Sequence, residues 1–155
     1  IANYETVVSS AFKRSLKHDE KASPRISALP AIVASTLGKL EMESVDEGRE
    51  FKVLEELTKK AVLNTFGRHF KAREFEDLML KFEEGLAVET GSDIPSGDYV
   101  KKLPMIGEAS KLIKRIERSE EPAAIASAIE FVLEGLHLNR RLNRDHTGGH
   151  IVYTA

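Results

Sequence analysis

Cysteine is absent from these 155 residues, which excludes disulfides, thiolate nucleophiles and thiolate metal sites. No apolar run approaches the roughly 18 residues that a membrane-spanning helix requires, and no signal-peptide pattern opens the chain. A surplus of one charge is missing too: 23 basic residues face 25 acidic ones, for a formal charge of −2. The chain therefore exerts no global pull on nucleic acid or an anionic bilayer. Aromatics are scarce at 6%, and few are interleaved with basic residues as a nucleic-acid face would need. What remains is an ordinary globular balance, 41% hydrophobic and 31% charged, sized for one domain with a sizeable core. A cytoplasmic location is the expectation. The chain opens on Ile1 rather than Met, so it reads as a fragment of a larger protein.

Hydrophobic periodicity is helical nearly throughout, and the expected fold is all-α, an irregular multi-helix bundle. Asn3 can cap a first helix with a buried stripe of Tyr4, Val7, Val8, Ala11, Phe12 and Leu16. Residues 18–24 are polar, end in Pro24 and read as a connection. Ser27 caps a second helix to about Leu40, with Pro30 tolerated in its first turn. A third helix starts near Asp46, with Phe51, Leu54, Leu57, Val62, Phe66 and Phe70 facing inward. Gly67 or the residues after it break or bend the run, and helical character resumes from Phe75 through Leu86 and Val88. Thr90-Gly91-Ser92-Asp93-Ile94-Pro95-Ser96-Gly97 is the clearest loop. A short helix from Tyr99 to Leu103, stopped by Pro104, precedes another over residues 107–118.

The last helix has the strongest start signal. Ser119-Glu120-Glu121-Pro122 supplies a cap, acidic residues and a proline where helices begin. Its apolar pattern runs to about Asn143. The domain is accordingly assigned to residues 1–145, and residues 146–155 to a tail in which Ile151-Val152-Tyr153 can add a short extended piece.

Few residues qualify for chemistry. Ser35-Thr36-Leu37-Gly38-Lys39 imitates a phosphate loop, but Val33 stands where the first glycine belongs and Leu40 follows the lysine. His146 and His150 have a spacing seen in zinc sites, yet two further ligands are missing beside the lone Asp145. No metal site is assigned. His69 and His137 sit in amphipathic helices, at a core edge or the surface. Arg140, Arg141 and Arg144 close the final helix, where cations complement the helix dipole. They are also the candidate partner-binding residues, because guanidinium forks match phosphate and carboxylate. No catalytic or cofactor-binding residue emerges.

Two strings carry a resemblance. One is residues 26–41, beginning Ile26-Ser27-Ala28-Leu29-Pro30-Ala31-Ile32-Val33; the other is residues 128–143, including Glu130-Phe131-Val132-Leu133-Glu134-Gly135-Leu136-His137. The opening Ile1-Ala2-Asn3-Tyr4-Glu5-Thr6 and the Asp93-Ile94-Pro95-Ser96-Gly97-Asp98-Tyr99-Val100 loop add to it. Together they resemble the C-terminal helical region of bacterial AAA+ ATPases related to the magnesium chelatase I subunit and the MoxR group. The resemblance implies a parent that hydrolyses ATP with Mg2+ between subunits of a homo-oligomeric ring. That hydrolysis would drive remodelling or metal insertion into a porphyrin, with a von Willebrand factor A domain protein as partner. This chain would be an accessory domain at or just after the ATPase lid, packed on the rest of the AAA+ module, with no cofactor of its own. The second sensor arginine would fall before Ile1, so no catalytic residue transfers onto a numbered position. Two other readings stand beside it: a stand-alone helical interaction or regulatory module, and a small helical enzyme with a metal at His146 and His150.

Overall fold

A computed structural model describes residues 2–36 and 49–155. Helix α1 (Ala2–His18) leads through a 3-10 turn at Ile26–Ala28 to α2 (Pro30–Thr36). Helix α3 (Arg49–His69) and a 3-10 turn at Ala72–Phe75 precede α4 (Glu76–Glu83) and strand β1 (Val88–Thr90). Then come α5 (Ser96–Ile106), α6 (Ala109–Ile113), α7 (Pro122–Leu138), β2 (Asn143–Thr147) and β3 (His150–Thr154). The chain is mostly helical, but the all-α expectation needs correcting. The three strands form an antiparallel sheet in the order β1-β3-β2.

Helix α7 is the axis of the fold. It packs against α3, α5, α6 and the first 3-10 turn, and buries Ile129, Val132, Leu133 and Leu136 almost completely. Phe66, Phe70 and Phe75 cluster in tilted and T-shaped contacts, with ring centroids 5.4–6.0 Å apart. Offset and tilted contacts of this kind are what aromatic quadrupoles favour. Gly135 lets α3 and α7 approach this closely, because a Cβ there would lie 2.6 Å from Cε2 and Cγ of Phe66.

Two helix ends explain why the sheet escapes a helical reading. Gly85, at φ 101°, closes α4: its N–H donates to Phe82 O and the N–H of Leu86 to Lys81 O. That is the left-handed cap with paired backward bonds common at helix C-termini. It frees Val88, expected in a helix, to pair with Tyr153 in the sheet. Arg140 does the same for α7 at φ 59°, its N–H reaching His137 O and that of Arg141 reaching Leu136 O. Helix α7 therefore ends at Leu138, short of Asn143, and the chain reverses into β2. Within residues 146–155, the short extended piece expected at Ile151-Val152-Tyr153 is strand β3. Gly148 and Gly149, at φ 59° and 87°, make the two-residue turn that matches strand twist, and Tyr153 is buried in the core.

Other boundaries shift for local reasons. Pro104 does not stop α5 but lies inside it; the end comes at Gly107, where φ is 51° and Lys81 Nζ caps the Met105 carbonyl at 3.0 Å. Ser27 falls in the 3-10 turn rather than capping a long helix. The expected continuation to Leu40 and the start near Asp46 lie outside the described residues.

The largest departure concerns α1. Its buried side is Ala11 and Arg14, whereas Tyr4, Phe12 and Leu16, expected in the core, are exposed.

Candidate functional site

Within α7 the apolar run from Pro122 to Leu138 is interrupted by two ionisable carboxylates, Glu130 and Glu134, one helical turn apart. Both are buried, and each holds a tyrosine hydroxyl and an arginine. Tyr99 donates to Glu130 Oε1 at 2.6 Å, the Ser27 N–H donates to Oε2 at 2.9 Å, and Arg25 Nη1 stands 3.9 Å away. Tyr153 donates to Glu134 Oε2 at 2.7 Å and Arg144 Nη1 to Oε1 at 2.7 Å. A buried carboxylate persists as an anion only when so paired and hydrogen-bonded.

Arg25 is the hub of the first cluster. Its guanidinium donates to Ile94 O at 2.7 Å and to Ser96 Oγ at 2.5 Å, and pairs with Glu20 at 3.3 Å. It also lies over the Tyr99 ring, 4.7 Å from the centroid. Glu20 accepts from the Ser96 N–H at 2.6 Å and pairs with Arg14 at 3.2 Å, while Arg14 also reaches the Ser23 carbonyl. The connection between α1 and α2 is thereby bolted to the loop before α5 and to α7. Burial opposes ionisation of Glu20, but the Ser96 bonds and the two arginines outweigh it and hold its pKa below the ordinary value. Burial, reinforced by Glu130 and Glu134, pushes Tyr99 and Tyr153 well above the usual phenol range. The carboxylates are committed to fixed donors and tie the α1–α2 connection, α5 and the β2–β3 hairpin to α7.

The residues singled out by sequence are dispersed. His146 pairs across from Ile151, and His150 from Thr147. Side chains alternate along a strand, so His146 and His150 project from opposite faces of the hairpin. His150 instead sits 2.5 Å from Glu89. Among the described residues no group of three or more His, Asp or Glu could hold a metal. Arg140 caps α7 through its backbone, Arg141 pairs with Glu76 at 2.8 Å, and Arg144 turns inward to Glu134. They do not form one patch. His137 bonds the Leu142 carbonyl at 3.0 Å, and His69 packs beside Phe70. Ser35 and Thr36 direct their hydroxyls at the Ile32 carbonyl and the Asn3 carboxamide. Both lie within α2; Leu37, Gly38 and Lys39 lie outside the described residues.

The remaining feature is a surface. Tyr4, Val8, Phe12 and Leu16 recur every fourth residue on α1, with Tyr4 75%, Phe12 57% and Leu16 84% exposed. An i, i+4 row of side chains is the ridge with which one helix seats in the groove of another. Lys13 is also exposed on this helix.

Sequence reasoning passed over Arg25, Glu130 and Glu134. The available signal was two acids at i, i+4 inside the most apolar helix of the chain. No family model matches this chain, and neither does any curated protein or solved structure.

Proposed function

We propose that this chain is an accessory helical domain of a magnesium chelatase-like or MoxR-like AAA+ ATPase, docked on the motor's lid through the exposed ridge of α1. The ridge carries the reading. Fully covering an exposed Phe or Leu side chain is worth about 1.5–3 kcal/mol, so leaving Tyr4, Phe12 and Leu16 largely in water on one helix marks a surface made to be covered. The resemblance supplies the occupant, since it puts the opening residues at or just after the lid. The bolts from Arg14, Glu20 and Arg25 to α7 would carry a push on α1 into the domain as a rigid body. ATP and Mg2+ belong to the parent's other residues. Its work would be remodelling or metal insertion, with a von Willebrand factor A domain protein as partner.

The test uses hydrogen exchange and ATP turnover. In the natural full-length polypeptide, amides of α1 should exchange more slowly than in the 155-residue chain. Phe12→Asp with Leu16→Asp should erase that difference and lower ATP turnover of the parent, while the shorter chain keeps its melting temperature. Equal exchange of α1 in both contexts, or a natural polypeptide without a phosphate loop, overturns the reading.

A further inference from the structure

A cleft of about 240 Å³ opens between the segment 26–33, helix α3 and the β2–β3 hairpin. Its walls include Leu29, Val33, Phe51, Val62 and Ile151. Its polar groups come from Ser27, Thr58, Lys59, Glu55, Glu134, Arg144 and His146. Pairing fixes which of them face it together. Arg144 lies opposite Tyr153 and His146 opposite Ile151, so both lie on the same face of β2, Arg144 half-buried and His146 exposed.

We propose that this cleft binds a small organic carboxylate, its apolar body between α2 and α3 and its carboxylate at Arg144, His146 and Ser27. The acids already present are spoken for. Glu55 pairs with Lys59 at 3.0 Å, and Glu134 accepts from both Arg144 and Tyr153. The donors are not. Arg144 commits only Nη1, leaving the rest of its fork, and His146 makes no hydrogen bond or ion pair among the described residues. Ser27 Oγ is out of water and unpartnered, the condition a buried hydroxyl avoids unless something arrives to bond it. Thr58, by contrast, already donates to Leu54 O at 2.8 Å. An incoming carboxylate thus meets a guanidinium edge, an imidazole and a hydroxyl, with no uncompensated acid. Guanidinium can bridge two carboxylates through different edges, so Arg144 need not release Glu134. The volume falls below the roughly 300 Å³ at which drug-sized sites begin, which fits a single-ring or short-chain acid.

The probe is 3-phenylpropanoate, with its neutral amide as control, titrated into the 15N-labelled chain. Saturable shifts should centre on Val33, Val62 and Ile151, and the acid should bind about tenfold tighter than the amide, the worth of one charged hydrogen bond. His146→Gln with Ser27→Ala should bring the two affinities together without unfolding the protein. Thr58→Phe, on a half-buried wall, should displace both probes. Equal affinity of acid and amide overturns the carboxylate subsite. Shifts centred elsewhere, or none up to the solubility of the probe, overturn the site.

Discussion

Gly135 lies in the last full turn of α7, where that helix crosses α3. Alanine at this position would be worth about 1 kcal/mol if helix propensity alone decided, because glycine is the costlier residue in a helix interior. Geometry opposes it. The new Cβ would meet Cε2 and Cγ of Phe66 at 2.6 Å, and Cδ2 closer still. The ring cannot slide away freely, since Phe70, Phe75 and Phe131 hold it at centroid distances of 5.4, 6.0 and 6.1 Å. Overpacking a filled core costs about 1–3 kcal/mol; contacts this short put the cost in the upper half of that range, so after the propensity gain Gly135→Ala should leave the protein about 1–2 kcal/mol less stable. At this chain length that is a fall in Tm of about 3–6 °C. Gly67→Ala is the internal control, as a Cβ there meets nothing within 4 Å and should stabilise by about 0.5–1 kcal/mol. Urea unfolding followed at 222 nm should show opposite midpoint shifts with unchanged slopes. Pairing Gly135→Ala with Phe66→Leu should recover part of the loss as a coupling term. A neutral or stabilising Gly135→Ala refutes the close-approach argument.

The other predictions concern the buried pairs. Arg25→Met should destabilise by about 3–5 kcal/mol, the cost of stranding one member of a buried ion pair, and adding Glu130→Gln should restore part of it; additive losses in urea titrations contradict a shared network. On the acid side, the folded pKa of Glu20 lies below its ordinary 4.5. Its contribution is therefore present above that value and is lost as pH falls below it through the folded pKa. Glu20→Gln should flatten that limb of the stability curve. On the alkaline side, Tyr99 and Tyr153 are raised from 10.0, so stability should hold below pH 10 and decline above it. Their phenolate absorbance at 295 nm should emerge together with unfolding rather than before it.

The parts legible in sequence are those governed by local chemistry. Pro122 behind Glu120 and Glu121 announces the start of α7 because a missing N–H costs nothing in a first turn. Its end was harder to read, because a left-handed cap there falls on Arg140 rather than glycine. The sheet is built from strands of three and five residues, with β1 joined to a partner more than sixty positions away. Periodicity cannot register so few alternations, although Gly148-Gly149 was a hairpin signal. The α1 ridge was legible as an apolar row but not as an exposed one. Which face of a helix turns inward was decided by Arg14, whose partners Glu20 and Ser23 come from the following connection. Nothing local in α1 encodes that choice.

Strand β2 is an outer strand of its sheet, and its far edge has no partner among the described residues. Two copies meeting along such edges would join antiparallel about a two-fold axis. With the two-fold centred on either charged residue, Arg144 faces Arg144 or Asp145 faces Asp145. Like charges set directly across a ladder repel. An edge of this composition discourages growth of sheets from molecule to molecule, so the chain should tolerate high concentration without assembling into fibrils at this seam.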